Sequence, residues 1–205
     1  DDDEVPDPGW LQAMAADLQS SGADICCGPL RPRFDAPAPR WAVDGGFFAK
    51  TGRHIGTGNI MFRSAILPQD EAAWFQPAFA HTGGEDEELF SRLMAQGARF
   101  TTAADAWVTE RVPASRLSLG YIVRTGLRDG VIAVALARSR QHSRLVVAAL
   151  ALRHMAAKAA YAAFHLLKSL QDGWHLVAAL RDAAEVMGTL AALFGWRIRH
   201  YGRPA

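Results

Sequence analysis

The sequence predicts an α/β domain followed by a hairpin of long helices. Short apolar runs alternate with helix-period segments up to about residue 110. A glycine pair, Gly83-Gly84, opens an acidic helix start, and beyond Val131 the chain turns to Ala- and Leu-rich helical sequence. Residues 1–130 are therefore assigned to the α/β part and residues 131–205 to the helical part.

At 205 residues, half of them hydrophobic and 21% charged, the chain can bury one good core with an appendage and is not of disordered composition. Its net charge of +1 hides an asymmetry: residues 1–110 hold 8 Lys/Arg against 17 Asp/Glu, and residues 111–205 hold 14 against 4. The acidic half could hold a metal; the basic half could meet phosphates or anionic lipid. Nucleic acid is not an expected partner. The two cysteines, Cys26 and Cys27, are adjacent in an apolar run, which excludes a disulfide scaffold and points to a reducing cytosol. No signal-peptide pattern is read, and without a run of 18 uncharged apolar residues a simple membrane-spanning helix is not expected.

In chain order, Asp1 to Pro8 reads as a loop. If a strand arrives at Asp1, Asp1 and Asp3 point to one side, where two carboxylates can hold Mg²⁺ or Mn²⁺; the plainer alternative is a solvated acidic end. Three adjacent carboxylates suit the end of a buried strand, so the sequence reads as the later part of a longer protein. Trp10, Leu11, Met14 and Leu18 form one side of an amphipathic helix ended by Ser21-Gly22, and Ala23 to Gly28 is a short strand, which together suggest βαβ logic and a parallel sheet. Residues 30–58 lack periodicity and read as a long functional loop. Gly56-Thr-Gly-Asn-Ile-Met-Phe-Arg63 leads into another strand, and Gly-x-Gly alone is a weak signal. His81 is read as a structural hydrogen-bonding residue.

The segment Gly83-Gly-Glu-Asp-Glu-Glu-Leu-Phe90 is the centre of the functional reading. Leu89, Phe90, Leu93 and Met94 recur at helical spacing, so a helix begins near Glu85 and ends at Gln96 before Gly97. Asp86 then lies in the first turn, where the positive end of the helix dipole stabilises the negative charge of a proton acceptor. Acidic residues enrich first turns in any case, and Glu87 and Glu88 are assigned only that role. Arg99 to Ala103 and Ala106 to Val112 follow as strands. If the next segment is helical, Arg124 and Arg128 stand one turn apart, a fork suited to diphosphate, or else two solvated arginines. In the C-terminal part, His154, Lys158, His165, Lys168 and Asp172 fall within a stripe of roughly 80° at 100° per residue. A second helix runs near Leu176 to Phe194, with Gly173 between the two. Such a hairpin could pack on the domain, self-associate or lie in a bilayer interface; the preferred expectation is docking on an anionic membrane surface, cationic stripe towards the headgroups.

Asp1-Asp-Asp-Glu-Val-Pro-Asp-Pro-Gly-Trp-Leu11, Gly56-Thr-Gly-Asn-Ile-Met-Phe-Arg63, Gly83-Gly-Glu-Asp-Glu-Glu-Leu-Phe90 and Ala106-Trp-Val-Thr-Glu110 together resemble family 2 glycosyltransferases of the GT-A fold, in the flavour of bacterial exopolysaccharide enzymes of the succinoglycan-biosynthesis type. The resemblance covers about residues 1–130. It implies a GT-A half-domain with a mixed sheet, followed by the C-terminal helical hairpin, and an inverting, metal-dependent hexosyltransferase. The donor would be a nucleotide-sugar, a UDP-sugar first, and the acceptor a saccharide or lipid-linked sugar at the cytoplasmic face of the cell membrane. By the same resemblance, Asp1 and Asp3 would hold Mg²⁺ or Mn²⁺ as a DxD motif, with Glu110 a further metal-side ligand. Asp86 would be the catalytic base, Gly58, Asn59 and Glu85 would shape the donor and acceptor pocket, and Arg124 or Arg128 would neutralise the leaving diphosphate. The Gln-x-x-Arg-Trp motif of processive members is absent after residue 110, which implies transfer of single sugars. The family's nucleoside-binding half has no counterpart before Asp1, so the chain alone is expected to be inactive. The competing expectation is a non-catalytic, membrane-associated interaction module.

Overall fold

The structure, a computed structural model, describes residues 3–51, 58–80, 82–140 and 143–196. It is mixed α/β. Its strands are β1 (Glu4–Pro6), β2 (Ile25–Cys27), β3 (Leu30–Phe34), β4 (Ile60–Phe62), β5 (Phe100–Thr102) and β6 (Val108–Val112). Its helices are α1 (Trp10–Ser21), α2 (Arg40–Asp44), α3 (Glu85–Ala95), α4 (Leu119–Ser139), α5 (Arg144–Lys168) and α6 (Trp174–Leu193). These elements fall into two compact units. One takes the chain up to Pro37, Gly46–Pro77 and Glu85–Pro113; the other takes Ala38–Gly45, Ala78–Gly84 and the chain from Ala114.

The first unit holds two small mixed sheets. In one, β6 is central, antiparallel to β1 and parallel to β3; in the other, β2 is central, antiparallel to β4 and parallel to β5. Ile25, Cys26 and Cys27 are buried because β2 is covered on both faces, as a central strand with parallel pairing requires. On one side Met14 and Leu18 of α1 pack with Cys26; on the other Leu89, Phe90 and Leu93 of α3 pack with Ile25. Helix α3 closes at Gly97, whose φ of 106° suits glycine, with the Ala98 N–H returning to the Leu93 carbonyl.

Several expectations change here. The segment read as an N-terminal loop contains β1, and the segment read as a loop from residue 30 contains β3 and α2. Both strands carry a proline, Pro6 and Pro32, and both lie at the edges of their sheet, where a missing N–H is tolerated. Strands β1 and β2 belong to different sheets, so helix α1 does not complete a parallel βαβ pair; the parallel pairs are β2–β5 and β3–β6. Leu11 is 62% exposed, outside the buried side of α1. His81 lies outside the described residues.

The second unit is built on α4, α5 and α6, with α2 packed on α6. Val131, the expected start of the helical region, falls inside α4. Helices α4 and α6 meet backbone to backbone: a Cβ on Gly130 would strike the Glu185 carbonyl, and one on Gly188 would strike the Leu127 carbonyl. Val131 and Val134 pack with Val147 and Ala151 of α5 and Ala192 of α6. The expected α5–α6 hairpin is present, and three residues of its polar stripe, His154, Lys158 and His165, face α6, while Lys168 bonds Gln171 and Asp172 is exposed. Lys158 Nζ lies 2.9 Å from Glu185 Oε2 and 3.5 Å from Asp182 Oδ1, and His165 and His175 bring their Nδ1 atoms to 2.8 Å. His154 Nε2 is 3.0 Å from Glu185 Oε1, near enough to pair in charge but not aligned as a hydrogen bond. Burial alone would lower the Lys158 pKa, but the hydrogen bond and charge of Glu185, with Asp182, outweigh it and raise the value. Contrary to expectation, α5 is long and apolar enough by length and composition to cross a membrane.

Candidate functional site

A buried polar cluster of the first unit gathers around Asn59. This residue precedes β4 with φ of 31°, a left-handed conformation that asparagine tolerates better than most side chains, and it is 5% exposed. Its Oδ1 accepts from Trp10 Nε1 at 2.6 Å, and its Nδ2 donates to the carbonyls of Pro29 at 2.8 Å and Ala106 at 2.9 Å. Its own N–H donates to Glu4 Oε2 at 3.2 Å, and its carbonyl accepts from the Gly28 N–H. One amide thus ties α1, both sheets and the approaches to β3 and β6 together. The Glu4 carboxylate also lies against Gly58, so a Cβ there would have to displace it.

The register then sets the neighbouring carboxylates. Glu4 is directly opposite Glu110 across the β1–β6 pair, so those two side chains share a face. Asp3 accepts from the Arg111 N–H through its carbonyl at 2.8 Å, which places it beside Arg111 rather than Glu110. Arg111 in turn donates from Nε to Asp35, 2.8 Å to Oδ2. Asp3 and Glu110 are hard oxygen donors of the kind Mg²⁺ and Mn²⁺ take. Strand alternation nevertheless assigns Glu110 to the Glu4 face, and Asp1 lies outside the described residues. Among the described residues no three His, Cys, Asp or Glu side chains gather as a cation site. The described residues alone do not complete the expected metal set.

The first turn of α3 carries Glu85, Asp86, Glu87 and Glu88, and each has a different environment. Gly83 and Gly84 lead in with φ of 77° and 87°, and a Cβ on Gly84 would collide with Ile132. Asp86 is half-buried, and its Oδ1 accepts from the Glu87 N–H at 2.7 Å. Glu85 presents a buried Oε2 that finds no hydrogen-bond partner among the described residues. A carboxylate oxygen taken out of water without a donor is costly, so it is a ready acceptor for a hydroxyl brought in by a ligand. Glu88 is buried for another purpose: it accepts from Gln76 Nε2 at 2.8 Å and from Arg92 Nε at 3.0 Å, and Arg92 donates on to the Trp74 carbonyl. That carboxylate fastens the segment before the glycine pair to α3, a role beyond the first-turn charge assigned to it from sequence.

Arg124 and Arg128 both lie on α4, in the second unit. Arg124 is exposed; Arg128 reaches Asp129 Oδ1 at 3.3 Å, and Asp129 Oδ2 also accepts from Arg181 at 3.0 Å. In sum, Gly58 and Asn59 are brought together around Glu4, Glu110 faces Glu4, and Glu85 and Asp86 adjoin in one helical turn. Glu4 was the residue sequence reasoning missed. Its signal was present, a fourth carboxylate after the aspartates, but its partners lie more than fifty residues away.

A mixed α/β chain with small mixed sheets, a glycine-led acidic helix start and a long helical region is the class these features define. Succinoglycan biosynthesis protein ExoM of Rhizobium meliloti (strain 1021) is 30% identical to it over 138 residues, which are 63% of this chain and 44% of that protein. The chain thus spans less than half the length of that relative. No protein-family model matches the chain, and no solved structure matches it.

Proposed function

We propose that this chain contributes the acceptor-side part of an inverting glycosyltransferase of the family 2, GT-A type, acting in surface-polysaccharide synthesis at the cytoplasmic face of the membrane. The single observation that carries the reading is the similarity to a succinoglycan biosynthesis protein. The buried Glu85 Oε2 beside Asp86, which has no hydrogen-bond partner among the described residues, supports it, because a sugar hydroxyl could donate to it.

The chemistry assigned to these residues is brief. The acceptor is a saccharide or lipid-linked sugar; Glu85 accepts from one of its hydroxyls and so fixes its orientation. The Asp86 carboxylate takes the proton of the attacking hydroxyl as its oxygen forms a bond to the anomeric carbon of the donor sugar. The bond from that carbon to the diphosphate oxygen of a nucleotide-sugar, a UDP-sugar first, breaks, and the electron pair leaves with the diphosphate. Attack from the opposite side inverts the anomeric centre. Asn59 and Glu4 act at a distance from this step, holding the Gly58 turn in place. Asp1 and Asp3 would hold a divalent cation, Mg²⁺ or Mn²⁺, which when bound would stabilise the charge of the departing diphosphate.

Membranes from cells producing the complete gene product should transfer labelled sugar from a nucleotide-sugar donor into a saccharide- or lipid-linked product and release nucleoside diphosphate in equal amount. The second reading, a non-catalytic membrane-associated module, is favoured by the outward apolar faces of α5 and α6. It predicts no transfer from any donor tested alongside undiminished membrane attachment.

A further inference from the structure

Helices α5 and α6 turn their charge inward and their hydrocarbon outward, the reverse of a helix pair facing water. Helix α5 has 25 residues, about 37 Å at 1.5 Å per residue, and contains no acidic side chain. Its polar residues His154 and Lys158 point to Glu185 and Asp182 of α6, and His165 to His175. What remains outside is Leu145 at 84% exposure, Leu152 at 60% and Leu167 at 78%, with alanines between, and 11% of the most apolar 18-residue stretch of α5 is buried. Helix α6 continues the same surface with Leu176, Leu180, Met187 and Leu190, while its charged Arg181, Asp182 and Glu185 are half-buried or buried. Between the helices, Ala162, Leu166, Leu176 and Leu180 line a groove with no polar surface. Such a continuous apolar face on a folded unit marks a contact surface.

We infer that this face is seated in the acyl-chain layer of a lipid bilayer, with the helices lying along the surface. The inference rests on the membrane-side part of the proposed function and not on the transfer reaction. Charge decides for lipid. Among the described residues, Arg138, Arg140, Arg144 and Arg153 are exposed cations at the edge of the face, one exposed acid, Asp172, sits in the turn between the helices, and the acids of α6 are spent on α5. A rim of this sign complements anionic headgroups. A second copy of the chain would press the same cations against themselves. Distribution along the axis decides for lying flat. Arg144 starts α5, Arg153 follows about 13 Å further on, at 1.5 Å per residue, and Lys168 ends it. Arg153 lies on the flank towards α4, lining a groove with Ala133, Ala137 and Arg140, so it can reach headgroups while the leucines beside it are immersed.

The test is flotation of the full chain with vesicles of neutral phosphatidylcholine in about 1 M salt, where headgroup attraction is screened to a few ångströms. Binding should persist there, and the exposed-face variant Leu152→Glu/Leu167→Glu/Leu180→Glu should lower the bound fraction about tenfold or more with its helix content intact. Should that variant fail to fold, Leu167→Cys carrying a polarity-sensitive dye gives a second readout; Cys26 and Cys27 are buried and stay unlabelled. Its emission should shift to the blue on adding neutral vesicles. Binding confined to anionic vesicles and abolished by salt overturns the inference, as does unchanged dye emission. So does concentration-dependent dimerisation that the triple variant abolishes in place of vesicle binding.

Discussion

Trp10 Nε1 donates to Asn59 Oδ1 across 2.6 Å, joining the first residue of α1 to the residue just before β4. The bond matters because the rest of the same amide is committed too, to the Ala106 carbonyl and to the Pro29 carbonyl, which also accepts from the Val108 N–H. The Gly58 turn and the Glu4 carboxylate are fixed as a consequence.

Asn59→Ala is therefore expected to destabilise the chain by on the order of 3 kcal/mol, from three lost hydrogen bonds, with the Trp10 indole N–H and the Ala106 carbonyl deprived of this partner. Asn59→Asp should be worse, since it sets a carboxylate against two carbonyl oxygens in place of a donor. Urea midpoints followed by tryptophan fluorescence order the variants; an aspartate variant as stable as the parent would remove Asn59 from this role.

Cys26 supplies a pH prediction. Burial, reinforced by Asp17 and Cys27, pushes its thiol up to about 11 from an ordinary 9.0. The folded state thus holds its proton more tightly than the unfolded state. The stability this contributes is complete below pH 9, and it is lost as pH rises through about 11, by on the order of 2 kcal/mol. Native protein should resist alkylation of Cys26 at pH 8, and Cys26→Ala should flatten the alkaline arm of the stability profile. Rapid labelling of the folded chain would contradict the burial.

Glu185 is 6% exposed and serves both Lys158 and His154. Glu185→Ala leaves the ammonium half-buried without its nearest acid and should cost roughly 2 kcal/mol in thermal or urea unfolding. Replacing both partners, Lys158→Met with Glu185→Met, should cost less than the sum of the two single changes, because neither member of this pair is then left without the other, although Asp182 still loses Lys158. Strictly additive losses would show that the pair is not coupled.

The sequence carried much of this arrangement, unevenly. Helix α3 was legible because Leu89, Phe90 and Leu93 recur at helical spacing after two glycines, and β2, β4, β5 and β6 because their apolar runs are bounded by turn residues. Strands β1 and β3 were not, since Pro6 and Pro32 read as breakers and only pairing with β6 turns them into edge strands. Likewise the cationic stripe of α5 was visible, but which way it faced was decided by Asp182 and Glu185 on α6, a pairing across a hairpin that helical periodicity alone does not express. At the candidate site, Asp86 and Glu85 were legible from position in the first turn. The Glu4–Asn59 contact was not, because it joins residues 55 apart in the chain.

The measurement closest to the central claim is turnover by the complete gene product carrying Asp86→Asn, compared with Glu87→Gln in the same first turn. The account predicts that Asp86→Asn lowers kcat about 10²–10⁴-fold while the unfolding transition stays in place, and that Glu87→Gln stays within a few-fold of the parent. Asp86→Asn turning over at the parent rate would contradict the assignment of this carboxylate as the base.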